Sequence, residues 1–249
     1  MAFDIVDLQG FYASSLGRLA RRAVGRIIRR QWSACAGMSF AGLGYATPYL
    51  EPFRSDALRT LALMPARQGV VNWPVPGRSA AALVEPTALP LPSASIDRVM
   101  VVHALEFSDE PQDMLEEAWR ILTPGGRLIV VAPSRAGLWA RVDTTPFGFG
   151  QPYSRSQLRE LLRETLFSPL CWEEALYAPP FANRVLLRIA PAVERVGARL
   201  SLPGAGIFVV EASKQLYRPV ALRRAALRRV PRLAPATLAP GGVRRAGGT

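Results

Sequence analysis

Two places in this 249-residue chain hold residue types that could do chemistry. The first is Gly42-Leu43-Gly44, within the run Gly37 to Pro48. Glycines here let a backbone come close to a ligand and aim its N–H groups at it, although a turn without a ligand has the same spelling. The second is His103, the only histidine, directly after the apolar run Arg98 to Val102. A histidine at the mouth of a buried strand can line a pocket, accept a proton or be purely structural. No Ser-His-Asp set, metal-ligand cluster or carboxylate pair accompanies them. Cys35 and Cys171 are far apart and lack further ligands, so neither zinc nor a disulfide framework is indicated, and a reducing cytoplasm is the default.

The elements that must position these residues are clearest between Leu89 and Pro133. Arg98 to Val102 is a short run with no solvent face, the pattern of a strand covered on both sides of a parallel sheet. Ser108, Asp109, Glu110 and Pro111 are helix-start residues, with Ser108 as a capping side chain. Met114, Leu115, Ala118, Trp119 and Leu122 then recur at three- and four-residue spacing. Thr123-Pro124-Gly125-Gly126 ends that helix, and Arg127 to Ala132 is a second buried strand. Strand, helix and strand in this order predict a parallel α/β sheet, whose ligands bind beyond the carboxyl ends of the strands. On this chain those ends are His103 to Glu106 and Pro133 to Arg135.

The series Leu89-Pro90-Leu91-Pro92, Ser95-Ile96-Asp97, Leu115, Glu117, Arg120-Ile121-Leu122 and Pro124-Gly125-Gly126-Arg127-Leu128 resembles the second half of class I S-adenosylmethionine-dependent methyltransferases of the type 11-like branch. The resemblance implies a Rossmann-like, seven-stranded, mostly parallel sheet flanked by helices, with an antiparallel last strand. It implies S-adenosyl-L-methionine as cofactor and carries Gly42, Leu43 and Gly44 onto the cofactor loop, with Ala46 where a third glycine is usual. Phe40 stands where the family has an acid. Thr60 to Met64 is the second strand, preceded by a helix within Pro52 to Val71. Its end, Met64-Pro65-Ala66, lacks the carboxylate that would accept both ribose hydroxyls; Met64 is left to pack on an adenine face or fill the core. Glu85, closing the third strand Ala81 to Glu85, falls on the acid that faces the adenine amino group. His103 is implied as a pocket residue.

Around this core, residues 1–32 are expected as a basic amphipathic helical segment, with Leu16, Leu19, Ala23, Ile27 and Ile28 on one stripe and six arginines on the remaining arc. In the family such a segment often lids the pocket, making Phe11 and Tyr12 candidates to touch a ligand. The methyltransferase-like domain spans 33–217. Ser134 to Ser154 is a long loop over the carboxyl edge, where substrate loops belong. Arg155 to Leu166 is a helix, Cys171 to Tyr177 and Gly206 to Ser213 are the last strands, and 181–200 is a helical insertion suited to a lid or an oligomer contact. Residues 218–249, rich in arginine and proline, read as a disordered tail.

The net charge of +12 is concentrated at the ends, with +4 in residues 1–32 and +9 in 212–249, leaving about −1 for the body. The arginine tail would attract polyanions non-specifically, and specific nucleic-acid recognition is not predicted. No apolar run is long enough to predict a membrane span. The expected function is methyl transfer from S-adenosyl-L-methionine to an unidentified acceptor, a small molecule being one candidate and the aromatic loop suggesting a partly apolar one, in the cytoplasm, with oligomeric state open. The alternative is a non-catalytic protein of the same fold, favoured by Phe40 and Met64, that uses its basic ends with RNA or anionic surfaces. A nicotinamide dehydrogenase is disfavoured, because Thr47 replaces the third glycine and no acid follows the second strand.

Overall fold

The computed structural model describes residues 3–200 and 202–217. The expected tail, 218–249, lies outside the described residues.

The centre is a seven-stranded sheet in the order β3-β2-β1-β4-β5-β7-β6. Its strands are β1 (Ser39–Gly44), β2 (Arg59–Pro65), β3 (Ala81–Val84), β4 (Ile96–Val102), β5 (Leu122–Pro133), β6 (Phe167–Ala175) and β7 (Ile207–Lys214). The first five pair in parallel, and β7 inserts antiparallel between β5 and β6. The sheet is therefore the Rossmann-like, mostly parallel one expected, with β7 the reversed strand.

Burial on both faces accounts for the sequence of the central strands. Ile129 and Val131 of β5 enter one apolar cluster, and Leu128 and Val130 enter the other. Such strands need apolar residues at every position, so the run shows no alternation.

The helices are α1 (Ile5–Ala13), α2 (Ser15–Gln31), α3 (Thr47–Leu50), α4 (Pro111–Ile121), α5 (Arg155–Glu164) and α6 (Arg184–Leu200). Asp4 caps α1 through the N–H groups of Val6 and Asp7. Ser14, extended at ψ 167°, separates α1 from α2 and caps the latter through Gly17 N. All six arginines of α2 are exposed, while Leu16, Ala20, Val24, Ile27 and Ile28 are buried.

Two local expectations are corrected. The helix between β1 and β2 is only the four-residue α3 and a 3-10 turn, Glu51–Phe53, because Pro52 lacks the backbone donor that would continue it. Ser108 does not cap α4: Glu110 occupies the N-cap position without a side-chain cap bond, and the Ser108 hydroxyl accepts from Glu110 N at 3.2 Å.

Candidate functional site

The chain leaves β1 for β2 and β3 on one side and returns to β4 on the other, so the carboxyl ends of β1 and β4 form the topological switch point. A ligand crevice belongs here. Tyr45 N donates to Val102 O at 2.8 Å, tying the two ends together.

Gly44 has φ +84°, and a Cβ on it would sit 2.2 Å from Val102 O and 2.9 Å from Ala104 Cβ. Gly42 lies within β1, where a Cβ would come 2.5 Å from Ala46 Cβ and 2.7 Å from Leu50 Cδ1. Close packing of β4 and α3 therefore requires both glycines. Leu43 is buried in the core on the sheet face that α4 covers. Gly44→Ala combines a left-handed residue with a backbone clash, and we expect it to cost at least about 2 kcal/mol, lowering Tm by roughly 5 °C; thermal unfolding checks this.

Beyond Gly44 the switch point is filled by the chain itself. Tyr12 of α1 reaches down so that its hydroxyl lies 2.9 Å from His103 Nε2 and 3.0 Å from Tyr49 Oη. His103 Nδ1 lies 3.0 Å from Glu106 Oε1. Phe147, from the long loop, has its ring 4.7 Å from the His103 imidazole. Tyr12, Tyr49, His103, Glu106 and Phe147 are all buried. Burial, reinforced by Tyr49, pushes the Tyr12 phenol well above its ordinary range. Tyr153, whose hydroxyl donates to Leu105 O, is raised to about 12 by burial and then by Glu106.

His103 has φ +52°, an uncommon conformation for a residue with a Cβ. Such outliers persist only where the surroundings hold them, and they cluster at working sites. Glu106 Oε2 has no hydrogen-bond partner among the described residues.

Beside this closed region lies an open cleft of about 230 Å3 along the ends of β2, β3 and β4, at the start of α4. Ala66, Gln68, Glu85, Ala104, Phe107 and Asp109 help line it. Glu85 is exposed at its edge. Gln68 is 5% exposed; its amide N–H donates to His103 O, while its Oε1 has no partner among the described residues. Arg67 pairs with Asp109, both side chains exposed, so the pair adds little stability. A second recess of about 400 Å3 is lined by residues that include Tyr12, Arg21, Tyr45 and Trp73.

The structure thus separates the residues singled out from the sequence. Glu85 opens onto the cleft, whereas His103 is sealed under Tyr12. Met64 is fully buried, its Sδ 3.4 Å from Val71 N, and it acts as core filler. Phe40, where the family has an acid, stacks on Phe53 at 5.1 Å within the core. The long loop does lie at the carboxyl edge, but Trp139, Thr145 and Phe147 are buried in it. Gln68 and Glu106 were not singled out from the sequence. The one available signal was their place just past the ends of two parallel strands.

Solved structures share this fold. A S-adenosylmethionine-dependent methyltransferase of Thermotoga maritima, described as a possible histamine N-methyltransferase, is 18% identical with a TM-score of 0.56, covering 83% of this chain and 93% of its own. One from Mesorhizobium loti is 14% identical with a TM-score of 0.55, covering 77% and 98%. Residues 58–130 match the family model described as a methyltransferase domain. This is the class I S-adenosylmethionine-dependent methyltransferase fold. The [4+2]-cyclase SpnF shares it at 19% identity and a TM-score of 0.54, covering 80% of this chain and 82% of its own, so the methyltransferase fold alone does not name the reaction. No curated protein sequence matches the chain. Among the described residues, no helix is long and apolar enough to cross a membrane.

Proposed function

We propose that the chain is a S-adenosylmethionine-dependent methyltransferase that holds the adenosine end of its cofactor in the cleft at Glu85 and Gln68. The observation carrying this reading is an open cleft at the carboxyl ends of β2, β3 and β4, edged by the exposed Glu85 carboxylate and lined in part by Gln68, whose buried Oε1 has no partner among the described residues. Both groups fit that end. Glu85 is an acceptor for an exocyclic amine, and Gln68 Oε1 is an acceptor for a sugar hydroxyl, a role the missing strand-end carboxylate would otherwise fill. The amino-acid end is not accommodated while Tyr12 covers the switch point. Arg21, in the recess beside Tyr12, is the cation available to a carboxylate there.

The cofactor supplies a methyl group already activated on a sulfonium, so the protein's work is positioning, water exclusion and proton handling. Glu106 holds His103 Nδ1, which leaves Nε2 to take a proton from the acceptor. In the closed chain the Tyr12 hydroxyl occupies that atom. Swinging α1 about Ser14 opens the amino-acid end and frees His103 in one movement. The acceptor is unidentified; Phe11, Phe147 and Trp139 near this point favour an apolar portion on it, and the chain is read as cytoplasmic.

Isothermal titration tests the reading. We expect saturable binding of S-adenosylhomocysteine that weakens about tenfold or more in Glu85→Ala, the usual cost of a charge-assisted hydrogen bond. Failure of both S-adenosylhomocysteine and adenosine to bind at millimolar concentration would favour the second reading, a non-catalytic protein of this fold, which the stacked Phe40 supports.

A further inference from the structure

Helix α6 carries bulky aliphatic residues on its outer face as well as its inner one. On the inner face Leu187 packs against the core, Ala190 and Gly197 are buried, and a Cβ on Gly197 would come 2.4 Å from the Tyr177 ring. Glu194, also on this face, accepts hydrogen bonds from Leu176 N at 3.0 Å and Ala178 N at 2.9 Å. Burial raises its carboxyl above the ordinary value.

Three further bulky aliphatic residues face outward, Ile189 being 47%, Val196 52% and Leu200 64% exposed. Phe181 and Leu202, flanking the helix, are exposed as well. A helix serving only to cover its own domain carries its large apolar residues on the buried face.

Each outward aliphatic residue is preceded by an exposed arginine, giving Arg188-Ile189, Arg195-Val196 and Arg199-Leu200. The spacings of seven and four place all three doublets on one helix face. The helix has one acid, Glu194, and it points inward, so this face is uniformly cationic. Next to it lies α2, which carries six exposed arginines and no acid. Of these six, Arg30 alone is ion-paired among the described residues, to Glu173.

We propose that the outward face of α6, flanked by the arginines of α2, docks the protein on an anionic lipid bilayer. The aliphatic side chains enter the boundary between headgroups and acyl chains, and the guanidinium groups meet lipid phosphates. RNA would satisfy the arginines and leave Ile189, Val196 and Leu200 without partners, since nucleic acids are held by stacking aromatics and polar contacts. A second copy of the chain would bring like charges together across a symmetric interface. The inference is independent of the proposed enzymatic activity.

The test is co-sedimentation of the full chain with vesicles at about 150 mM salt. One set is zwitterionic phosphatidylcholine, and the other contains roughly one third phosphatidylglycerol. We expect binding to the anionic vesicles at least tenfold stronger, since each arginine at such a surface contributes about fivefold. The triple variant Ile189→Ser, Val196→Ser, Leu200→Ser retains every charge, including the eight arginines in 218–249. It should lose about tenfold or more of the binding while keeping the native Tm, because the three positions are exposed. The triple variant Arg188→Gln, Arg195→Gln, Arg199→Gln should lose most of the preference for anionic lipid. Unchanged vesicle binding in the aliphatic variant would assign the attraction to general electrostatics and overturn the proposal. So would binding of a single-stranded RNA with none to vesicles, or a dimer in sedimentation that the aliphatic variant abolishes.

Discussion

Tyr12→Ala is expected to bind S-adenosylhomocysteine at least about tenfold more tightly than the native chain, although it is the less stable protein. Tyr12 closes the switch point with two buried hydrogen bonds, to His103 at 2.9 Å and to Tyr49 at 3.0 Å, and with ring contacts to Tyr45 and His103. Each bond contributes about 0.5–1.5 kcal/mol net, and packing adds to this. A ligand that needs the open state binds with an affinity reduced by the open fraction, and removing Tyr12 removes that reduction. Tyr12→Phe keeps the ring and loses both bonds, so its affinity should fall between the two. Titration calorimetry on the three proteins checks the order. Weaker binding in Tyr12→Ala would mean that Tyr12 closes over the ligand as a productive contact, and the plug reading would be abandoned.

Trp139→Ala should lower stability by about 3–5 kcal/mol and Tm by on the order of 10 °C. The side chain is fully buried, donates from Nε1 to Ala178 O at 2.8 Å, and packs edge-on against Phe147 at 5.7 Å. Gly206 has no room for a Cβ because the indole lies there, 2.4 Å away at the nearest atom. Truncation leaves a cavity and an unpaired carbonyl at once, two of the few routes to a large loss. Chemical denaturation at neutral pH measures it. A loss below about 1 kcal/mol would show that the segment is a surface loop after all, free to open over a substrate as its sequence position suggests. A loss of the expected size would mean that the same residues hold Phe147 against His103, so the loop forms part of the closed state.

These two variants also mark the boundary between what can be read locally and what cannot. Strands and helices from Leu89 to Pro133 are legible because their causes are near in sequence: apolar runs, helix periodicity, Pro111 at a start and glycines at an end. The resemblance to methyltransferases rides on the same segment, so the sheet class is legible in the sequence. Ser108 and the helix expected after β1 failed on finer points of the same kind, where neighbouring residues and Pro52 decided between capping and turn geometries.

The site is different, because its state rests on partners distant in the chain. Tyr12 and His103 are 91 residues apart, and Gln68 and His103 are 35 apart. From sequence, Gly42 and Gly44 have two equal explanations, a ligand or a tight approach, and only the positions of Ala46, Leu50, Val102 and Ala104 show that the approach suffices. Met64 likewise had a pocket role and a core role until burial decided for the core. Apolar periodicity and turn residues, acting over short distances, were enough for the strand-helix-strand unit from Leu89 to Pro133 and for the edge where its ligands belong, while the seven-stranded sheet around it was legible as what the family resemblance implies. The tertiary structure alone shows that part of the crevice is closed by the chain's own aromatic side chains and part is open at Glu85. That outcome depends on which side chains from distant segments compete for one volume, and no local pattern encodes it.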